Sequence, residues 1–299
     1  GRPRLPQAGL TIRRRFASLP SLALSVAEGR FQLMARPIIT LLTDFGSADY
    51  YVGAMKGVIL NINPEVEIVD ITHDVIPHDV LDAAFTLAQV YRYYPTRAIH
   101  VVVIDPGVGS KRRPILVSGD NHFFIAPDNG VLSFIYPQQE KLTVREISAE
   151  HYFRSPVSQT FHGRDIFAPA AAYLSKGVET YQFGEEITNY VRLQVPKPQA
   201  LNEKAFKGIV LKIDRFGNAI TNITRADVPA LFGDPTPTFK LKAGQKEVSK
   251  LVRAYAEGGQ GEVFAILGSS GYLELATNRG GAARLLGITR GATIALELS

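Results

Sequence analysis

The sequence predicts an α/β N-terminal domain with a mainly parallel sheet covered by helices, followed by a smaller, mostly β C-terminal domain. Three observations carry this prediction. From Pro37 to Gly177 apolar strand-like runs alternate with helical ones, the succession that builds a parallel sheet clad on both faces. Near "QVPKPQALNEK" (194–204) the texture changes to two prolines among polar residues, which reads as a linker. Beyond it nearly every apolar run is short and strand-like. The expected divisions are an extension over 1–36, the α/β domain over 37–194, a linker over 195–204 and the β-rich domain over 205–299.

Each element has its own warrant. "PIITLLTDFG" (37–46) is a buried strand that ends at Asp44. "YYVGAMKGVILNINP" (50–64) is a helix closed by Pro64, which cannot continue it. "VEIVDITHDV" (66–75) is a second strand. "DVLDAAFTLAQVYRYYP" (79–95) is a helix with Asp79 as N-cap and Asp82 three residues on, close to a capping box. "AIHVVVIDPG" (98–107) is a third strand, and "PILVSGDNHFFIAPDNGVLSFI" (114–135) adds more, with turns at Gly119-Asp120 and Asp128-Asn129-Gly130. "RDIFAPAAAYLSKG" (164–177) is a short helix stopped by Gly177. In the second part "FKGIVLKID", "AITNIT", "TFKLKA", "GEVFAILG" and "YLELA" are strands, and "RGGAARLLG" closes with a short helix.

Composition excludes several classes of function. The 299 residues contain no cysteine, so disulfides, thiolate metal sites and cysteine nucleophiles are ruled out. The net charge of +5 comes from residues 1–33, which hold six Arg and one Glu. The remainder is balanced at 27 basic and 27 acidic residues, so no nucleic-acid partner is expected. No apolar run approaches the ~18 residues of a membrane span, so no membrane partner is expected either. The Arg-, Ser-, Pro- and Leu-rich tail resembles an organellar transit peptide in composition. Its other reading is a non-native upstream extension, because Met34 immediately precedes the first folded sequence. A cytoplasmic location is expected, or an organelle if the tail is a real transit peptide.

Ligands of open α/β sheets bind at the carboxyl ends of the strands, and Asp44, Asp74 and Asp105 stand at or near such ends. Asp44, followed by Phe45 and Gly46, suits two hydrogen bonds from a ribose diol, or else a helix cap. "DPGVGSKRR" (105–113) lacks the spacing of a phosphate loop, and Pro106 removes an amide such a cradle would use. "THDVIPHD" (72–79) offers His73, Asp74, His78 and Asp79 as metal ligands, but Asp79 is explained as a cap and no H-x-x-x-H pair is present. No metal is predicted. "SQTFHGRDIFAPAAA" (158–172) puts His162 and Arg164 around a glycine just before a helix.

In the second part "IDRFGNAITNI" (213–223) sets Asp214, Phe216 and Asn218 around a turn. An acid can hold an α-ammonium and an Asn amide a carboxylate, although F-G-N is also ordinary turn chemistry. "GSSGYLELATNRGGAA" (268–283) supplies Ser269, Ser270, Tyr272, Glu274 and Asn278 beside small residues. Such a run can admit a flat heterocycle, or simply connect a strand to a helix.

Taken in order, "LLTDFG", "YVGAMKG", "DITHDV", "VVVIDPGVGSKRRP", "PDNG", "TFHGRDIFAPAAA", "IDRFGNAITN" and "SSGYLELATNRGGAA" resemble the S-adenosyl-L-methionine (SAM) hydroxide adenosyltransferase family, SAM hydrolases related to the fluorinase and chlorinase enzymes. The likeness runs from about residue 37 to 299. It implies hydrolysis of SAM to adenosine and L-methionine without metal or organic cofactor. It also implies a homotrimer whose sites lie between the N-terminal domain of one subunit and the C-terminal domain of the next. The family's water-handling trio falls on Asp105, Arg112 and His162, and halide-using relatives lack it. The resemblance carries Asp44 to the ribose, Asp214 and Asn218 to the methionine moiety, and Ser269 to Asn278 to the adenine pocket. Phe45, Tyr51 and Phe216 would pack on adenine or the sulfonium. Alternatives are a halide-dependent SAM adenosyltransferase and a non-catalytic adenosine- or SAM-binding protein.

The trio answers an odd feature of "IHVVVIDPGVGSKRR", a buried strand that ends on a carboxylate before three cations. Gly107 and Gly109 are expected to turn the chain so that Arg112 returns over Asp105, with Lys111 and Arg113 left as solvated charges. Arg112 stays protonated and cannot be a base. His162 is a plausible proton acceptor, and Asp105 would hold either partner or accept a hydrogen bond from the water. Which group takes the proton is left open by the sequence.

Overall fold

A computed structural model describes Gly1 and residues 36–299 of the chain; the arginine-rich tail lies outside the described residues. Strands β1 (Ile38–Thr43), β2 (Glu67–Thr72), β3 (Ile99–Val103), β4 (Pro114–Ser118), β5 (Phe123–Pro127) and β6 (Thr143–Glu146) form one sheet in the order β2-β1-β3-β5-β4-β6. The β2-β1-β3-β5 run is parallel, and β4 pairs antiparallel with both β5 and β6. Helices α1 (Tyr51–Ile62), α2 (Val80–Val90) and α3 (Ala168–Ser175) cover it. Alternation along the strands decides which face each helix takes. Ile39, Leu41, Val101 and Val103 share a core with α1 and α3. Leu42 and Val102 share the other with α2.

The expected caps form. Asp79 accepts the Asp82 N–H at 2.9 Å at the start of α2, and Gly177, at φ 93°, ends the α3 region. "VLSFI" at 131–135 departs from the expected strand and coils into turns instead. One polar group lies deep in this core. His100 is fully buried and shares a 2.8 Å hydrogen bond with Thr40 Oγ1 through Nδ1, while its Nε2 lies 3.3 Å from His122 Nδ1. Burial, with a smaller push from His122, lowers the His100 pKa to about 3, so the ring is neutral wherever the protein is folded near neutrality.

The second sheet contains β7 (Gln199–Ala200), β8 (Ala205–Ile213), β9 (Ala219–Thr224), β10 (Phe239–Ala243), β11 (Lys246–Val248), β12 (Leu251–Val252), β13 (Val263–Leu267), β14 (Tyr272–Thr277) and β15 (Thr293–Leu298). Its order is β11-β10-β15-β8-β9-β14-β13-β12, with β7 on β8. The stretch expected to be linker thus contributes a two-residue strand that pairs with Lys207 and Phe206. Helix α4 (Ala282–Leu286) closes on Gly287, which is left-handed at φ 66°. Among the described residues no helix is long and apolar enough to cross a membrane.

The halves are joined by charge as well as by packing. Lys212 Nζ donates to Asp82 Oδ1 at 2.6 Å and Thr86 Oγ1 at 3.1 Å. Arg290 grips the Asp79 carboxylate with both terminal nitrogens. Phe85 of α2 meets Tyr272 of β14 edge-on at 5.4 Å.

Candidate active site

The sequence after β3 folds back on itself. Val108 N–H bonds to Asp105 O at 3.1 Å and Ser110 N–H to Gly107 O at 3.1 Å, which returns Arg112 to the strand end. Gly109 makes this possible. It sits at φ +76°, and a Cβ there would lie 2.3 Å from Gln159 O, so the turn docks on the backbone three residues before His162. Gly107 was expected to share this role, but its backbone is not left-handed and its nearest neighbours stand at ordinary contact distance.

Arg112 is the hub of the cluster. Its Nε donates to Asp105 Oδ1 at 3.0 Å, and Nη2 bonds both to Asp105 Oδ2 and, at 3.0 Å, to His162 Nδ1. Asp105 and Arg112 are 6% and 7% exposed, so the fork is held in a low-dielectric setting that strengthens it. Arg112 Nη1 is buried and has no hydrogen-bond partner among the described residues. His162 precedes a π-helical turn at Gly163–Phe167, a distortion that frequently marks functional sites.

Burial pushes the Asp105 carboxyl upward against the opposing pull of Arg112. Burial first and the Arg112 charge second push His162 below its usual value. A neutral imidazole with one nitrogen accepting from a guanidinium must carry its proton on the other. Arg112 can only donate, so Nδ1 accepts and Nε2 bears the hydrogen. In this arrangement His162 is a donor, which differs from the proton-acceptor role suggested by sequence.

A cavity of about 370 Å³ opens onto the cluster, lined by Asp105 and His162 together with Asp44, Phe45 and Tyr51. Asp44 Oδ2 accepts the His78 N–H at 2.8 Å. Phe45, Tyr51 and Phe161 pack as three rings with centroids 5.2 to 5.9 Å apart, Phe161 edge-on to both of the others. Phe161, Thr160, Pro77 and His78 also line this cavity and were missed as site residues. His78 had drawn attention only as a metal candidate. Its left-handed φ of 65° has no sequence signature.

A second cavity of about 900 Å³ lies between α2 and the second sheet. Asp214, Phe216, Asn218, Ser269, Ser270 and Glu274 line it, and none of the trio does. Asp214 Oδ1 accepts the N–H groups of Phe216 and Asn218 at 2.9 and 2.8 Å, and Oδ2 accepts Asn218 Nδ2 at 3.0 Å. The pair therefore first holds its own turn. Glu274 is 5% exposed, and burial pushes its carboxyl upward. Tyr255 donates to it at 3.1 Å, and burial beside that carboxylate raises the phenol to about 12. Tyr255 was not anticipated, because a lone Tyr in a glycine-rich connection carries no signal.

Two expected binding residues are not brought to either cavity wall. Tyr272 packs on Phe85 instead, because its place on β14 turns the ring toward α2. Asn278 donates to Gly258 O at 3.1 Å and so fastens a loop. Arg113, expected to be solvated, forks onto Asp128 Oδ2 and binds Asn189 through Oδ1 and O, while Lys111 is exposed as expected. No cluster of three or more His, Cys, Asp or Glu side chains suited to a metal occurs among the described residues. His73 and Asp79 are engaged elsewhere, with Thr43 and Arg290.

Residues 39–184 match the SAM hydroxide adenosyltransferase N-terminal domain, and residues 208–295 the C-terminal domain. An (R)-S-adenosyl-L-methionine hydrolase of Methanocaldococcus jannaschii is 35% identical over 84% of this chain and 92% of its own. The enzyme of that name from Thermus thermophilus is 35% identical over 87% and 99%. A fluorinase of an Actinoplanes species is 29% identical over 81% and 91%. A crystal structure of an uncharacterized conserved protein from Thermotoga maritima superposes with a TM-score of 0.81 at 37% identity, covering 86% of this chain and 99% of that one.

Proposed function

The chain belongs to the SAM hydroxide adenosyltransferase family, and from that premise we propose that it hydrolyses S-adenosyl-L-methionine to adenosine and L-methionine. The observation that carries the reading is the Asp105–Arg112–His162 cluster, whose Asp105 and His162 line the cavity that also holds Asp44 while Arg112 bridges them from behind. The C5′–S bond breaks with its electron pair going to sulfur, so methionine leaves as a neutral thioether. A water-derived oxygen bonds to C5′ from the opposite side, and one proton is released. SAM is the substrate, and no cofactor is needed for this chemistry.

The roles we assign follow from donor accounting. Arg112 Nη1, buried and without a partner among the described residues, and His162 Nε2, on the cavity wall, are the N–H groups left to meet a water-derived oxygen, the donor set that stabilises hydroxide over water. Both oxygens of Asp105 are taken by Arg112, so Asp105 aims the guanidinium rather than receiving the proton. Asp44 accepts from the ribose hydroxyls, and the Phe45–Tyr51–Phe161 rings offer π faces to adenine or the sulfonium. Asp214, Phe216, Asn218, Ser269, Ser270 and Glu274 would hold the methionine and adenine portions.

The separation of these two groups into cavities with no wall residue in common supports a site completed by a second copy. We take the assembly to be a homotrimer. The cysteine-free sequence accords with a reducing compartment such as the cytoplasm.

The test is incubation with SAM in H₂¹⁸O, followed by mass spectrometry. Adenosine labelled at its 5′-oxygen with equimolar methionine is expected. Intact SAM bound to folded protein would overturn hydrolysis in favour of a binding protein. Product carrying chlorine when chloride is added would favour the halide reaction.

A further inference from the structure

His73 belongs to the "THDVIPHD" run but sits in no cluster of three or more His, Cys, Asp or Glu side chains among the described residues. Its Nδ1 instead lies 2.8 Å from Thr43 Oγ1, the last residue of β1 and fully buried. Thr43 Oγ1 in turn accepts the Phe45 N–H at 3.3 Å. On the far side His73 Nε2 stands 3.1 Å from Asp70 Oδ1, although off the line of a well-formed hydrogen bond. Asp70 Oδ2 receives Lys56 Nζ at 2.6 Å. Two backbone bonds fix the same junction: Gly46 N–H to His73 O at 2.8 Å and Val75 N–H to Thr43 O at 3.4 Å.

The donors run in one direction. With Asp70 beside Nε2, that nitrogen carries the proton and Nδ1 accepts from the Thr43 hydroxyl, which leaves the Thr43 oxygen free to accept from Phe45. Lys56, Asp70, His73 and Thr43 therefore form a polar chain that begins at the surface and ends on the turn bearing Asp44 and Phe45. The same loop holds the Asp44 carboxylate itself through the His78 N–H.

We infer that His73 is a positioning residue for substrate binding, acting through the Thr43 hydroxyl to fix the Asp44–Phe45 turn. The inference rests on the reading of Asp44 and Phe45 as substrate contacts. His73 itself touches no substrate. Its effect falls on interactions made equally with bound SAM and with its transition state, which appear in KM rather than kcat.

Two replacements of His73 separate the relay from mere packing. In His73→Asn the amide oxygen can stand where Nδ1 does and keep the Thr43 bond. In His73→Gln the amide reaches toward the Nε2 position and loses it. KM for SAM is expected to rise about 3- to 10-fold in His73→Gln, the worth of one hydrogen bond, with kcat within about twofold. His73→Asn should stay within about twofold of the native KM. The nearly isosteric Thr43→Val should match His73→Gln, and the double variant should add nothing further, since both remove one contact. A purely structural role would reduce the folded fraction and hence the apparent kcat, leaving KM unmoved, and melting curves of each variant would register it.

Asp44→Asn serves as the reference. If it leaves KM unchanged, the ribose reading falls and this inference with it. If Asp44→Asn raises KM while His73→Gln and Thr43→Val do not, the relay alone is overturned. Equal losses in His73→Asn and His73→Gln also overturn it. Should His73→Gln fail to fold, Thr43→Val carries the test.

Discussion

Lys212 on β8 places its ammonium 2.6 Å from the carboxylate of Asp82 on α2, and Asp82 is only 2% exposed. The contact spans 130 residues of sequence and ties the two halves of the chain at the edge of the larger cavity. Removing one partner strands the other. Asp82→Ala is expected to lower stability by about 1.5–3 kcal/mol, the range for a hydrogen bond to a charged group. Urea titration measures this, and an unchanged midpoint would mean that solvent already satisfies both charges.

Catalysis should depend on the shape of the Arg112 side chain as well as its charge. Lysine keeps the charge but cannot bridge Asp105 and His162 with a rigid fork. Arg112→Lys and Arg112→Ala should both lower kcat about 10²- to 10³-fold, the usual cost of a lost oxyanion-type donor. SAM binding by calorimetry should change little. Full activity in Arg112→Lys would show that a point charge suffices.

The pH dependence follows from His162. Burial and Arg112 hold it below its ordinary value of 6.5. Protonation would put a hydrogen on Nδ1, facing the Arg112 donor, and break the cluster. Activity should therefore rise with pH along an acid limb whose midpoint lies below 6.5 and then level off. The midpoint belongs to the coupled trio, because Asp105, raised by burial, titrates beside it. A kcat/KM profile that is still rising above pH 7 would contradict the assignment.

His100 governs a different pH effect, on folding. Its folded pKa of about 3 lies below the ordinary histidine value of 6.5. Between those values the unfolded chain binds a proton that the folded chain refuses. Stability should thus be flat above pH 6.5 and fall as pH drops toward 3, by up to about 1.4 kcal/mol per unit. Denaturant melts across that range measure the slope. In His100→Gln the slope should be smaller, whatever the variant's stability at neutral pH.

Gly109→Ala combines a left-handed φ of +76° with a Cβ lodged 2.3 Å from Gln159 O. The turn must move, and Arg112 moves with it. Loss of kcat larger than the loss of thermal stability would identify this as displacement of the cluster. Gly107→Ala, which faces only ordinary contacts, should be mild.

What could be read in the sequence was what local chemistry dictates. The parallel strands, the Asp79 cap and the stop at Gly177 follow from apolar period, side-chain reach and backbone freedom. The meeting of Asp105 with Arg112 was anticipated from the family resemblance, and the short turn between them is what lets it form. Arg113 was not, since its partners Asp128 and Asn189 lie 15 and 76 positions away. Tyr255 and His78 were hidden for a related reason: cavity walls are assembled from loops whose own sequences are bland. Strand β15 was overlooked as well, although it sits between β10 and β8 within the sheet.

The separation of the two cavities has a consequence for inheritance. On the composite site proposed above, a chain with a ruined Arg112 still carries a sound Asp214 turn, and a chain with a ruined turn still carries a sound Arg112. Co-expressed, the two defects can cover for one another wherever an intact face of one chain meets an intact face of the other. Random mixing in equal amounts would restore roughly a quarter of the interfaces of a cyclic assembly. Two alleles that are each null alone would then be partly functional together, and a cross between mutants would expose the architecture without a structure.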